Sequence, residues 1–316
     1  MKTFRFFLRP TGTEGFLSRT FRATQRGDRK SYILKVGSRD LVAQGFARKI
    51  QSFRRECAAY KLLRPLYGQV TPRCFASFSI PDGSDGLLWL QEITPARSGD
   101  QITGLSWKEL AATTRSIGTV HARFWNARKL SRIHRLPLHR YNLAHETKAH
   151  LRAFQQDCRS LLRPAVQKVL PVALAAISRA LRQCKARPFT LLHGDLRADN
   201  LLFSKGRAWI VDWQIAAWGL GTFDLARVIG GSTPSTLSLA DQRKLVKIWH
   251  HTLQQGGVRG YSAEEAWQDY RTGVALTLSI PITNGPTLTH LSPRGREIAR
   301  LMIRRFFRNG RELGLL

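Results

Sequence analysis

Hydrophobic and polar residues alternate in several short segments within the first ninety residues of the chain. This two-residue period, rich in branched and aromatic side chains, predicts β-strands with one buried face. The predicted strands are residues 4–8, 16–23, 31–36, 74–80 and 87–93. Between the third and the fourth strand the period changes, and apolar side chains from Phe46 to Tyr60 recur every three or four residues. That spacing predicts one helix whose apolar face packs on the sheet.

Beyond residue 103 the pattern is mainly helical, and capping signatures predict helix starts after Ser106, Ser238 and Ser262. The segment between the two patterns is small and polar, as is typical of a linker. We therefore predict an α+β chain of two lobes, a small sheet-plus-helix lobe followed by a larger helical one. The predicted bounds are 1–94 for the first lobe, 95–103 for the linker and 104–316 for the second lobe.

The chain carries 51 Lys and Arg residues against 21 Asp and Glu residues, a formal net charge of +30. Internal ion pairs cannot neutralise this excess, so part of the positive field reaches solvent. One cluster falls on a predicted C-terminal helix, where Arg296, Arg300, Arg304 and Arg308 form one face. Such a face binds nucleic acid or an anionic membrane in some proteins and is simply solvated in many others. A GC-rich coding bias would also enrich arginine, and these alternatives stay open.

The ends of the chain and its cysteines narrow the class of protein. The N-terminus lacks the apolar stretch of a signal peptide, and no apolar run approaches the length of a membrane span, which predicts a cytoplasmic protein. The four cysteines are scattered without a short paired spacing, so we expect neither a zinc site nor a disulfide framework.

The most informative segment runs from His193 to Asn200 and is followed by an apolar strand that ends on Asp212. An acid five residues before an amide, with a second acid one hairpin later, is the arrangement that phosphoryl transfer uses. Asp195 is the candidate base for an acceptor hydroxyl, and Asn200 and Asp212 are candidate ligands of Mg²⁺, which prefers oxygen. We expect His193 to brace the loop. Turn chemistry explains each residue taken singly, and only the joint spacing predicts a site.

Two features of the first lobe fit the same chemistry. Lys35 lies within an apolar strand, and a buried cation needs a partner, for which Glu56 on the next helix is the candidate. The pair would hold the lysine toward nucleotide phosphates, whereas on an edge strand Lys35 would simply face water. The segment that contains Gly15 and Ser18 precedes the second strand and would fold over phosphates through its backbone N–H groups.

These motifs together resemble those of the kinase-like phosphotransferases related to aminoglycoside phosphotransferases and choline kinases. The likeness is greatest to the ecdysteroid-kinase-like branch and its bacterial relatives. The matching residues are Gly15–Ser18, Ile33–Lys35, Glu56, Tyr60, Gly99–Gln101, Val120–Trp125, His193–Asp195, Asp199–Asn200, Val211–Gln214, Gly219, Asp224–Ala226 and Gly257–Ser262.

The resemblance implies a bilobal protein-kinase-like fold and the use of ATP with Mg²⁺. It also implies Asp195 as catalytic base, Asn200 and Asp212 on the metal, Lys35 on phosphates and Asp224 as an acid that braces the catalytic loop. Trp213 follows Asp212 where protein kinases carry phenylalanine, so no activation-loop switch is expected.

The acceptor is the least determined part of the prediction. A strongly basic chain disfavours a polycationic aminoglycoside, and a neutral or anionic small molecule with a hydroxyl group is the better candidate. The competing hypothesis is a catalytically idle kinase-like scaffold whose basic surface binds nucleic acid or membrane. The presence of all five residues Lys35, Glu56, Asp195, Asn200 and Asp212 argues for the enzyme.

Overall fold

The structure is a computed structural model that describes residues 6–11, 17–25, 30–127, 129, 136–139, 143–233 and 237–316. Two compact units divide the chain, the first formed by Met1–Arg97 with Leu202–Ala216 and the second by Ser98–Leu201 with Ala217–Leu316. A β-sheet dominates the first unit and helices the second, so the α+β fold class is confirmed. The predicted lobe bounds at 94 and 104 stay predictions.

The first unit is built on an antiparallel sheet of five strands in the order β1-β2-β3-β5-β4. The strands are β1 (Phe6–Pro10), β2 (Ser18–Gln25), β3 (Ser31–Gly37), β4 (Cys74–Ser79) and β5 (Gly86–Gln91). They lie within two residues of the bounds that alternation predicts. Lys35 on β3 pairs with the fully buried Leu88 on β5, so the lysine lies on the buried face of a central strand. The alternative of an edge strand with Lys35 in water is wrong.

Two helices, α1 (Leu41–Ile50) and α2 (Ser52–Leu62), replace the single helix predicted across this region. They meet at Gln51, whose left-handed φ of 54° interrupts the helical backbone. The apolar stripe therefore does not run straight through: Phe53 and Tyr60 on α2 are fully buried, whereas Phe46 on α1 is exposed. A one-residue break of this kind leaves the three- and four-residue spacing intact, so periodicity does not reveal it.

A hairpin later in the chain belongs, from Leu202 onward, to the first unit. Its strands are β8 (Leu201–Ser204) and β9 (Arg207–Ile210), and the short β6 (Arg97–Ser98) pairs with β8. Thr71 donates its hydroxyl to the carbonyl of Ile210 at 2.9 Å. Arg55 on α2 donates to the carbonyls of Ile215 and Ala216 at 2.7 and 2.9 Å. These bonds attach the segment that carries Asp212 to helix α2 and to the chain at Thr71.

Helices make up most of the second unit. They are α3 (Trp107–Arg123), α4 (Leu143–Asp157), α5 (Pro164–Gln183), α6 (Thr222–Gly231), α7 (Leu239–Gln255), α8 (Ala263–Thr277), α9 (Ser279–Leu291) and α10 (Pro293–Glu312). The side chains of Ser106, Ser238 and Ser262 cap α3, α7 and α8, which confirms the three predicted helix starts. A two-stranded sheet of β7 (Thr190–Leu192) and β10 (Ala217–Gly219) lies among them.

The C-terminal helix α10 has the arginine face that its spacing predicts, since Arg296, Arg300, Arg304 and Arg308 are all exposed. Arg305 behaves differently. It is buried and donates to the carbonyls of Gln101, Gly231 and Ile102 at 2.6 to 3.0 Å. One member of the basic cluster therefore holds the fold together by hydrogen bonds to main-chain oxygens.

Among the residues that the structure describes, one helix is long and apolar enough to cross a membrane, the stretch Pro164–Ala186. The expectation that no run approaches that length is wrong by this criterion of length and composition. Leu170, Ala173 and Ile177 of this helix are buried in the apolar core of the second unit, beside Phe306 of α10.

Candidate active site

The loop that follows β7 turns sharply at Gly194, whose φ of 84° lies in the left-handed region that glycine adopts most readily. Residues Ala198–Asn200 then form one turn of 3-10 helix, and β8 begins at Leu201. Strands therefore enter and leave the loop. This geometry brings Asp195 and Asn200 together: the side-chain nitrogen Nδ2 of Asn200 donates to the backbone carbonyl oxygen of Asp195 at 2.8 Å.

Asp224 holds the start of this loop. Its two carboxylate oxygens accept hydrogen bonds from the backbone N–H groups of His193 and Gly194 at 2.7 and 2.9 Å. His121 lies 3.4 Å from the same carboxylate, and Trp249 donates its indole N–H to Nδ1 of His121 at 3.0 Å. Because Nδ1 accepts that bond, the ring proton of neutral His121 lies on Nε2, which points to Asp224. These contacts fit the bracing role predicted for Asp224, and His121 itself is fully buried.

His193 is fully buried, and its Nδ1 accepts the backbone N–H of Asp195 at 3.2 Å. The imidazole thus closes the turn around Gly194 from inside the loop. The contact fits the prediction that His193 braces the loop.

The carboxylate of Asp195 is held by two arginines. Arg227 on α6 donates to Oδ1 at 2.8 Å, and Nε of Arg197 donates to Oδ2 at 3.0 Å. Burial by itself would raise the pKa of Asp195, but the two guanidinium groups outweigh it and lower the pKa to about 2. The carboxylate is therefore ionised at neutral pH.

Sequence reasoning missed Arg197 and Arg227 as parts of this site. Arg197 lies within the motif, two residues after Asp195, and a basic residue at that position was a usable signal. Arg227 lies 32 residues after Asp195 and three residues after Asp224. Nothing in the local pattern connects it to Asp195. Only the packing of α6 against the loop places the two together.

The first unit holds a second cluster, centred on Lys35. The ammonium group of Lys35 donates to both carboxylate oxygens of Glu56 at 2.8 and 2.9 Å and to Oδ1 of Asp212 at 2.7 Å. Glu56 is fully buried, and burial raises its pKa to about 7 against the opposing effect of Lys35. Burial lowers the pKa of Lys35, but the two carboxylates outweigh this and raise it, so the lysine is charged. The pairing of Lys35 with Glu56 that the sequence predicts is present.

Asp212 occupies an unusual backbone conformation, with a φ of 68°. A residue other than glycine adopts this left-handed region rarely and at a cost of about 1 kcal/mol. The conformation directs the carboxylate to Lys35 while the following residue, Trp213, is fully buried. Strained backbone that surrounding contacts keep in place is characteristic of functional positions.

Gly15 and Ser18 are the two other residues predicted to contact the cofactor. Gly15 lies outside the described residues. Ser18 is buried at the start of β2, and its hydroxyl accepts a hydrogen bond from Nε2 of Gln214 at 3.3 Å. The segment after Asp212 and the start of β2 are thereby linked within the first unit.

The donor atoms offered by Asn200 and Asp212 suit a hard cation. The nitrogen of the Asn200 amide is used on Asp195, which leaves its oxygen for a ligand, and Asp212 offers a carboxylate. Mg²⁺ binds through one or two such oxygens together with phosphate and water oxygens. Within the described ranges, no group of three or more His, Cys, Asp and Glu side chains lies together in a way that could hold a metal ion. Each of the two residues, taken by itself, offers an oxygen that suits Mg²⁺ bound largely by phosphate, and their assignment as ligands stays a prediction.

Comparison with solved structures supports the fold. Choline kinase from Cryptosporidium parvum Iowa II superimposes with a TM-score of 0.63 at 13% identity, covering 98% of this chain and 91% of that one. Plasmodium vivax ethanolamine kinase gives a TM-score of 0.60 at 10% identity, covering 96% and 81%. The GDP and kanamycin complex of the aminoglycoside phosphotransferase APH(2")-IIIa gives 0.60 at 13% identity, covering 96% and 93%. The protein has the kinase-like fold that these structures share.

Comparison of sequences identifies the family. No curated protein matches the chain. Residues 11–267 match the sequence model described as the phosphotransferase enzyme family, APH. This match spans most of the chain and includes both clusters described above. The expected likeness to the ecdysteroid-kinase-like branch remains a prediction, and the chain belongs to the phosphotransferase enzyme family.

Proposed function

We propose that this protein is an ATP-dependent kinase that transfers the γ-phosphoryl group of ATP to a hydroxyl group of a small molecule. The observation that carries the proposal is the double ion pair of Lys35 with Glu56 and Asp212. A lysine placed by a helical glutamate and next to a metal-binding aspartate is the phosphate-handling arrangement of kinases. Membership of a phosphotransferase family supports the same reading.

Each residue has a role that follows from its contacts. Lys35, fixed by Glu56, binds nucleotide phosphate through its ammonium group. Asp212 and Asn200 offer oxygen ligands to Mg²⁺, which neutralises phosphate charge when bound. Asp195 accepts a hydrogen bond from the acceptor hydroxyl and takes its proton as the oxygen attacks phosphorus. His193 and Asp224 keep the Asp195 loop in place through backbone N–H groups.

The acceptor we propose is neutral or anionic. Choline, ethanolamine and kanamycin, the molecules named for the structural relatives, are cations at neutral pH, but those relatives share only the fold with this chain. Here the groups next to Asp195 are the guanidinium groups of Arg197 and Arg227. A cationic acceptor would be repelled by these two guanidinium groups as its hydroxyl group approaches Asp195.

The idle scaffold is the competing proposal, and one experiment separates the two. Purified full-length protein is incubated with ATP, Mg²⁺ and a panel of hydroxylated metabolites, and release of ADP is measured. The matched variants are Asp195→Asn and Asp157→Asn, because Asp157 is a partly exposed acid whose partner is the exposed His290. We expect ADP release in the wild type and in Asp157→Asn, and its loss in Asp195→Asn.

Two results would count against the enzyme. Equal ADP release in Asp195→Asn and the wild type would remove Asp195 from the mechanism. Failure to bind Mg²⁺-ATP at all, combined with salt-dependent binding of nucleic acid that survives Asp195→Asn, would favour the scaffold.

A further inference from the structure

Both oxygens of the Asp195 carboxylate are engaged by cations. Arg227 donates to Oδ1 and Arg197 to Oδ2, at 2.8 and 3.0 Å. An acceptor hydroxyl needs one of these oxygens within hydrogen-bond distance if Asp195 is to take its proton. The side-chain nitrogen of Asn200 also donates to Oδ2, at 3.3 Å. A carboxylate oxygen accepts two hydrogen bonds, so Oδ2 is fully occupied, and a hydroxyl that binds this oxygen must displace Arg197 or Asn200.

The two arginines differ in their freedom to move. The side chain of Arg227 is 3% exposed, and its guanidinium group lies over the ring of Phe306 at 5.4 Å. Arg197 is on the loop itself, and 26% of its side chain is exposed, beside an Asp195 side chain that is 29% exposed. Solvent and ligands therefore reach the bond between Arg197 and Asp195, and Arg197 is the arginine that can exchange partners.

The charges around Arg197 favour exchange with an anion. Its Nη1 donates to Asp199 and, at 2.9 Å, to Gln101. Asp199 is shared with Arg294, which also pairs with Asp100 at 2.7 Å. The three acids of this network balance its three arginines in charge, but both charged groups that contact the Asp195 carboxylate are guanidinium groups. A guanidinium group that leaves Asp195 attracts an anion and repels a cation.

We propose that the acceptor is a hydroxylated anion whose carboxylate or phosphate group is bound by Arg197 in exchange for Asp195. This inference rests on the proposed kinase function and narrows its substrate class. Guanidinium groups bind both kinds of oxyanion through paired N–H donors. Binding of the anion frees one acceptor position on Oδ2 of Asp195 for the hydroxyl of the same molecule.

The chemistry balances without any further reactant. The hydroxyl oxygen of the acceptor forms a bond to the γ-phosphorus of ATP, and the bond from that phosphorus to the bridging oxygen of ADP breaks. The hydroxyl proton passes to Asp195 and then to solvent. A neutral acceptor leaves Arg197 on Asp195, so it is a poorer substrate even when its hydroxyl fits. Arg197 thus determines specificity through its contact with the substrate.

The first test compares anionic acceptors with neutral counterparts in which the charged group is esterified or absent. Suitable pairs are glycerate with its methyl ester, cholate with its methyl ester, and glycerol 3-phosphate with glycerol. For the pair that contains the best acceptor, we expect kcat/KM to be at least about tenfold higher for the anion, the value of one charged hydrogen bond. Arg197→Met should remove this preference mainly through KM of the anion, and Arg197→Lys should restore part of it.

Arg300→Met is the matched control, because Arg300 is an exposed arginine of the same unit whose partner is Glu297. It removes the same charge and should keep the preference of the wild type. Equal kcat/KM for the anion and its ester, or a preference that survives Arg197→Met, would overturn the proposal.

The second test requires neither nucleotide nor turnover. Isothermal titration calorimetry measures binding of the same anions and esters to the full chain. We expect the anion of at least one pair to bind, with at least about tenfold weaker binding in Arg197→Met but not in Arg300→Met. Binding of esters alone, or of none of the probes, would contradict the anionic substrate class, whereas loss of Mg²⁺-ATP binding would contradict the kinase function itself.

Discussion

The ammonium group of Lys35 lies 2.7 Å from the carboxylate of Asp212, although 177 residues separate them in the sequence. Glu56 accepts hydrogen bonds from the same ammonium group through both of its carboxylate oxygens. Lys35 and Glu56 are buried and Asp212 is partly buried, so the charge on each group is stabilised by the other two. Substitutions in this cluster should therefore change both the stability of the protein and its binding of nucleotide, and a double variant can separate the two effects.

Replacing Lys35 should reduce both stability and nucleotide binding. Lys35→Met leaves Glu56 buried without its cation, and removal of one partner of a buried pair costs about 3 kcal/mol. We expect the free energy of unfolding in urea to fall by about that amount. The double variant Lys35→Met with Glu56→Leu should recover part of the loss without recovering ATP binding. A double variant no more stable than Lys35→Met would contradict the buried pair.

Asp224 should be intolerant of even a small change. Asp224→Asn places an amide N–H against backbone N–H donors of His193 and Gly194, so one buried donor loses its acceptor. We expect a loss of about 2 kcal/mol in the free energy of unfolding, together with a lower kcat. Asp157→Asn serves as the control for the change from acid to amide. Unchanged stability of Asp224→Asn would show that this carboxylate does not hold the loop.

The dependence of activity on pH should report the two arginines at Asp195. With a pKa of about 2, Asp195 is ionised throughout the range from pH 5 upward, so its protonation does not limit kcat/KM there. Arg197→Met removes one of the cations that lower this pKa, and the pKa therefore rises. Because only the ionised form accepts a proton, the loss of activity on the acidic side should begin at higher pH in the variant. Superimposable acidic limbs for the two proteins would refute this electrostatic role of Arg197.

The break between α1 and α2 offers a test of the backbone. Gln51 is exposed and has a φ of 54°, a conformation that glycine adopts at lower cost. We expect Gln51→Gly to raise the free energy of unfolding by about 0.5 kcal/mol. Lys49→Gly, in the last turn of α1, should lower it, because glycine within a helix is unfavourable. A destabilised Gln51→Gly would mean that the side chain of Gln51 matters more than its backbone.

The sequence predicted those parts of the molecule that local spacing determines. The strands follow from alternation, and Asp195 with Asn200 follows from a separation of five residues within one loop. The pairing of Lys35 with Glu56 was also predicted, because a buried cation on a strand needs an acid and the next helix offers one.

The rest depends on packing between distant segments, which spacing does not record. Arg227 meets Asp195 only because α6 packs against the loop. Arg305 lies in a run of exposed arginines, and nothing in the local pattern distinguishes it from them. It is nevertheless buried and donates hydrogen bonds to three main-chain carbonyl groups. Gln51 breaks a helix without glycine or proline, so the sequence carried no sign of the break.

The central claim is that Asp195 serves as the base of an ATP-dependent phosphoryl transfer. The most direct measurement follows the acceptor itself by mass spectrometry, with ATP and Mg²⁺ present, for the wild type, Asp195→Asn and Asp157→Asn. The account predicts a hydroxylated product that has gained one phosphoryl group in the wild type and in Asp157→Asn, and none in Asp195→Asn. Formation of the same product by Asp195→Asn at the rate of the wild type would contradict it.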